Sequence, residues 1–126
     1  MDIKLDTAPS TIEEAVDMLV EALSSEDKEM IINDVNFDYH FSSGRKIRNN
    51  WRLWDKNSPI KLDAIKTYKI AHGDDLSGLI FEWAFNKVKN KTFDPIKYCN
   101  IFHEHWRREC DMTALEAGGI TNIEKN

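Results

Sequence analysis

The chain has 126 residues, 41% of them hydrophobic and 31% charged, and a formal net charge of −5. That length supports one core without disulfides or metals, and the composition excludes a disordered chain. The negative balance argues against non-specific attachment to nucleic acid or to an anionic membrane.

The segment Met1-Asp2-Ile3-Lys4-Leu5-Asp6 lacks the basic and apolar regions of a leader, and no apolar run approaches membrane-spanning length. The protein is therefore read as cytoplasmic, with residues 1–8 as an N-terminal extension. No segment alternates apolar and polar residues as a half-buried strand would, so the apolar spacing is helical throughout. The first helix opens at Pro9-Ser10-Thr11-Ile12-Glu13, with Ser10 and Glu13 as a capping box. Ile12, Ala15, Val16, Leu19, Ala22 and Leu23 form its apolar stripe. Ser24-Ser25 ends it and caps a short helix over 26–33, with Met30 and Ile31 inward.

A third helix is expected from about Phe37 to Trp54, because Phe37, Phe41, Gly44, Ile47, Trp51 and Trp54 recur three or four apart. Gly44 either lets another helix come close or breaks this one. Asp55-Lys56-Asn57-Ser58-Pro59 has turn composition. Leu62, Ile65, Tyr68 and Lys69 or Ile70 then mark a helix from about Ile60 to Ala71, interrupted by His72-Gly73-Asp74. Asp74 or Asp75 is expected to cap a helix reaching about Asn90, whose broad apolar face (Leu76, Leu79, Ile80, Trp83, Ala84, Val88) makes it the central one. Asp94-Pro95 starts the last main helix, with Ile96, Cys99, Phe102, His103 and Trp106 inward. Residues 9–110 thus form the helical domain, and 111–126 a short helix and tail ending after Gly118-Gly119. The fold class is all-α: a compact single-domain bundle of five or six unequal helices. Its expected core is Ile12, Val16, Leu19, Phe41, Ile47, Trp51, Leu76, Ile80, Trp83, Phe102 and Trp106.

Cys99 and Cys110 lie eleven residues apart, about 16 Å along one helix, which is too far for a disulfide. Both are read as reduced thiols. His103-Glu104-His105 lacks the His-Glu-x-x-His spacing that puts two ligands on one helix face. No metal, no cofactor and no catalytic residue is assigned, since nucleophile elbow, phosphate loop and Cys–His signatures are all missing from the sequence.

The densest chemistry lies in two blocks. Ile47-Arg48-Asn49-Asn50-Trp51-Arg52-Leu53-Trp54 gathers two Trp, two Arg and two Asn in eight residues. With Arg45 and Lys46 it makes a basic run in an acidic protein. Its plain reading is that Arg48 and Arg52 pair with Asp74, Asp75 or Glu82 across two helices. Its functional reading is an anion or acidic-partner site. Asn49 and Asn50 are poor helix formers, so at least one should make a specific hydrogen bond, to a loop backbone. In the second block, Asp74, Asp75 and Ser77 read either as a helix cap or as a carboxylate cluster. The tryptophans read mostly as core, whereas an exposed Trp beside Arg52 would point to a binding hot spot.

These two blocks, with the Pro9-Ser10-Thr11-Ile12-Glu13-Glu14-Ala15 start, resemble a small family of uncharacterised bacterial and phage domains with no assigned activity. Its members carry an Ile-Arg-Asn-x-Trp-x-Leu-Trp block followed by His-Pro-Asp-Asp-x-Ser, and many end with a segment like Tyr98 to Trp106. The resemblance spans about Pro9 to Arg108. Two positions depart from the pattern: Gly73 stands where Pro is usual, and Arg52 where Gly is frequent. The resemblance implies a bacterial or phage origin and supplies no mechanism.

The leading expectation is a protein-interaction domain that acts by stoichiometric binding as an inhibitor, immunity or anti-defence protein. Its candidate surface comprises Arg45, Arg48, Asn49, Arg52, Trp54, Asp74, Asp75 and Ser77. The alternative is a small-ligand or hydrolytic site built from His40, Arg48, Asn49, Asp74, Asp75 and Ser77. Another protein is the expected partner, and nucleic acid and membrane are disfavoured by the net charge.

Overall fold

The computed structural model describes residues 7–33 and 44–121. Among them are α1 (Ile12–Ala22), α2 (Ser25–Ile32), α3 (Gly44–Asn50), α4 (Pro59–Tyr68), α5 (Gly73–Val88), α6 (Pro95–Tyr98), α7 (Asn100–Cys110) and α8 (Ala114–Ala117). There is no strand among the described residues. Six helices have seven residues or more, and α6 and α8 are single turns. The all-α bundle of unequal helices expected from the sequence is the architecture found.

Side-chain caps set most helix starts. Thr11, not Ser10, caps α1: its hydroxyl accepts from Glu14 N at 3.0 Å, while Glu14 Oε1 accepts from Ser10 N at 2.8 Å. The reciprocal box expected from Ser10 and Glu13 is thus not formed: the cap moves to Thr11, and Glu14 reaches back to the residue before it. Ser24 and Asp27 form a complete capping box on α2, Ser58 caps α4 with Pro59 at its first turn, and Asp94 caps α6 in the same way. Thr113 and Glu116 box α8.

The third helix is shorter than its periodicity suggests. It ends at Asn50, and Arg52 takes φ 59°, in the left-handed region that closes helices. Leu53 N donates to Arg48 O at 3.0 Å, satisfying a terminal carbonyl. Phe37, His40 and Phe41 lie outside the described residues.

In α4 the buried face is Ile60, Lys61, Ala64 and Tyr68, whereas Leu62 points to solvent. The face expected from Leu62, Ile65 and Tyr68 is thus rotated toward a lysine. Lys61 is 2% exposed, and its Nζ donates to the Ala71 carbonyl. Desolvation lowers its ammonium pKa, opposed by the charge of Asp55. Lys69 at φ 59° ends α4, and Ile70 and Ala71 run inward to α5.

The most extensive helix pairing is α1 along α5, and α2, α3 and α6 also pack on α5. Ile12, Ala15, Val16 and Leu19 meet a core holding Ile47, Trp51, Leu53, Leu76, Leu79, Ile80 and Phe81, all fully buried. Each large side chain contributes about 1.5–3 kcal/mol on burial. Trp83, Phe102 and Trp106, expected in the core, are partly buried and pack against its edge. Ile96, expected inward, is exposed, whereas Cys99, at the junction of α6 and α7, is buried. A second strut joins α4 to α1, where Asp63 Oδ2 accepts from Ile12 N at 2.9 Å. The α8 terminus closes on the α4–α5 connection, since a Cβ on Gly118 would lie 2.3 Å from the Ala71 carbonyl carbon.

Candidate functional site

The left-handed turn at Arg52 decides what becomes of the second tryptophan. Had α3 continued, Trp54 would share the face of Ile47 and Trp51. Instead Leu53 turns inward, fully buried, and Trp54 emerges 49% exposed. The turn is fastened from below. Ser58 Oγ is 3.0 Å from Arg52 O and 3.1 Å from Asp55 O, and its single proton serves either. The Asn57 amide donates to Asp55 at 2.9 Å, and Arg52 ion-pairs with Asp55. These bonds hold the Asp55 carboxyl below its ordinary range, the Asn57 amide most strongly.

Trp54 does not hang free. Its ring lies flat over Gly73, where a Cβ would sit 2.7 Å from Cε3. It also meets the edge of His72, with centroids 5.3 Å apart and planes at 78°. His72 also contacts Trp106, with centroids 5.3 Å apart and planes at 35°, and His105 packs against Trp106 at 4.9 Å. Trp106 Nε1 donates to Asp75 Oδ2 at 2.8 Å, so α7 is tied to α5 beneath this aromatic row. Burial pushes the Asp75 carboxyl above its ordinary pKa, and the Trp106 bond and the nearby His72 oppose that rise.

The α5 start differs from the expected aspartate cap. His72 is the cap, and its Nδ1 accepts from Asp74 N at 3.1 Å. Asp74 is left to pair with Arg48, Nε to Oδ1 at 3.3 Å. Arg48 also donates from Nη1 to Ser77 Oγ at 3.1 Å, and Ser77 Oγ donates to Asp74 O at 3.1 Å. The expected clamp between the two blocks is therefore present for Arg48 and Asp74. Arg52 instead pairs within its own turn, and Asp75 serves α7.

Of the residues expected at the site, Arg48, Asp74 and Ser77 come together, and Trp54 and Asp75 flank them through His72 and Trp106. Arg45 and Asn49 are exposed on α3. Asn50 makes the expected side-chain bond, donating to Lys46 O at 2.8 Å within its own helix rather than to a loop. His40 lies outside the described residues. Sequence reasoning missed Trp106 as the partner of Asp75, 31 positions away, and His72 as a cap. No local pattern marks the first, and histidine is an infrequent cap.

An open cleft of about 380 Å³ lies elsewhere, between α7 and α8, lined by His103, Arg107, Asp111, Met112, Thr113 and Glu116 among others. None of the expected site residues lines it. Among the described residues no group of three or more His, Cys, Asp or Glu is placed to hold a metal, and no helix is long and apolar enough to cross a membrane.

The family model for the Domain of unknown function (DUF6794) matches residues 8–87, and the chain belongs to that family. The matched span holds Arg48, Trp54, His72, Asp74 and Asp75 and stops before Trp106. No curated protein and no solved structure matches the chain.

Proposed function

We propose that this member of the family is a non-enzymatic protein-interaction domain that binds a partner stoichiometrically, in the manner of an inhibitor, immunity or anti-defence protein. Its setting in this reading is the cytoplasm of a bacterium or of a phage-infected cell. The binding surface is centred on Trp54, with Arg52 two residues before it, the Arg48–Asp74 pair next to His72, and the exposed Arg45 and Asn49 of α3 as further candidates. The observation that carries the reading is Trp54 itself. A half-exposed indole clamped on Gly73 and His72 offers a large apolar contact at little cost in conformational entropy. The adjacent Arg52 adds a charged anchor of the kind enriched at interface centres.

A ligand or hydrolytic site at Arg48, Asn49, Asp74, Asp75 and Ser77 has less support. Those polar groups that meet are partnered to one another, and no buried side-chain nitrogen or oxygen among the described residues lacks a partner. A group awaiting a substrate is usually less occupied.

The test is affinity capture from a bacterial lysate, identification of the partner by mass spectrometry, and titration of the two purified proteins. A 1:1 complex weakened at least about tenfold by Trp54→Ala, or about 1.4 kcal/mol, and by Arg52→Glu supports the surface. Undiminished binding by both variants, with helicity intact, sinks it.

A further inference from the structure

The imidazole of His72 holds three things at once: the Asp74 amide in the first turn of α5, the ring of Trp54 and the ring of Trp106. We propose that His72 is a pH-operated latch, which in its neutral form caps α5 and clamps Trp54, and on protonation gives up the cap and competes with Arg48 for the Asp74 carboxylate.

The argument starts from the lone pair. Nδ1 accepts a hydrogen bond from Asp74 N at 3.1 Å, so the neutral ring carries its proton on Nε2. A proton taken from solvent can add only at Nδ1. It consumes that lone pair, breaks the cap and leaves the Asp74 amide without its acceptor. The new Nδ1–H then finds a second acceptor already in place, Asp74 Oδ2 at 3.9 Å. That carboxylate is at present engaged with Arg48 Nε at 3.3 Å. The same atom therefore exchanges a backbone donor for a side-chain acceptor, and the carboxylate is shared between two cations.

His72 is 24% exposed at its side chain and Asp74 47%, so the proton has a route and the carboxylate has room to swing. The charges facing the ring come from every neighbouring element. Arg48 lies on α3, Asp74 and Asp75 on α5, and His105 on α7 beyond Trp106. Lys61 of α4 is bonded to the preceding carbonyl, that of Ala71. Asp75 is fixed on Trp106, so Asp74 is the group left to respond.

The latch acts on the surface proposed above, and its value as regulation rests on that reading, but its test needs no partner. Uniformly 15N-labelled full-length protein is titrated from about pH 8 to about pH 5, the window in which imidazoles change charge, following the His72 ring and the Asp74 amide. The expected result is a shift of the Asp74 amide with the same midpoint as the His72 ring, and a several-fold loss of its hydrogen-exchange protection below that midpoint. His72→Asn, which caps without titrating, should abolish both changes, and His105→Gln should retain both. A His72 ring that titrates while the Asp74 amide stays fixed and protected overturns the latch. So does an amide transition that persists in His72→Asn or disappears in His105→Gln. If His72→Asn does not fold, the wild-type coincidence of midpoints still decides. A failed latch with Trp54-dependent binding retained leaves the interaction reading standing.

Discussion

The Trp106 indole donates across 2.8 Å to a carboxylate 31 residues away, that of Asp75, which is 7% exposed. An ionised group in that position is costly unless fully partnered, and burial accordingly raises the Asp75 pKa. With the folded value above the unfolded one, the native state binds the extra proton between the two. The stability tied to Asp75 is then fully present below the unfolded pKa and is lost as pH rises through the folded one. Asp75→Asn keeps an acceptor for Trp106 and removes the charge. It should be more stable than wild type at neutral pH, with the gap closing as the pH falls toward the ordinary carboxylate range. Urea unfolding at the two pH values checks this.

Two glycines should respond to alanine in opposite directions. At Gly118 a Cβ would lie 2.3 Å from the Ala71 backbone, with no flexible side chain to yield, so Gly118→Ala should cost about 1–3 kcal/mol. At Gly78, inside α5, the nearest atom is Phe102 Cζ at 3.5 Å, which is ordinary contact. Gly78→Ala should gain up to about 1 kcal/mol from helix propensity. Denaturant midpoints of the two variants give the comparison.

Arg52 occupies a left-handed position at φ 59° that costs a non-glycine residue about 1–2 kcal/mol. Its exposed pair with Asp55 returns little. Arg52→Gly should therefore raise the melting temperature, and by lifting the anchor from beside Trp54 it should weaken partner binding. A variant with both lower stability and unchanged binding would contradict each half of the argument.

The two thiols should separate cleanly. Cys99 is buried, and burial pushes its pKa up to about 12, with Asp75 adding to the rise. Cys110 is exposed. The thiolate is the reactive form, so an aromatic disulfide reagent should titrate one thiol in the native protein and two in denaturant.

Elements marked by a chemical signal were legible in the sequence. The Ser24 start, the Asp94-Pro95 start and the α1 stripe were legible in place or within a residue, because caps and amphipathic periodicity are local, whereas Ser58-Pro59 read as part of a turn rather than as a cap. The Arg48–Asp74 clamp was readable as opposite charges in neighbouring blocks. The end of α3 was not, because Arg52 carries no glycine to announce a left-handed turn, and periodicity alone carried the helix on to Trp54. The face of α4 was misread because Lys61 is buried by a carbonyl supplied from beyond its own helix. The Trp106–Asp75 bond depends on how α7 folds back over α5, which no pattern within either helix encodes.

The pairing of α1 with α5 also has a temporal side. During synthesis the apolar face ending at Leu19 is made well before its main partner, which begins at Gly73. At about 5–20 residues per second, those intervening 50-odd positions take roughly 3–11 s to add. Throughout that interval the nascent chain carries the apolar residues of α1 without the helix that covers most of them. The ribosome-bound chain is thus exposed to chaperone capture until α5 clears the exit tunnel, and a slowing of translation between the two helices would lengthen that exposure without altering a single contact of the finished fold.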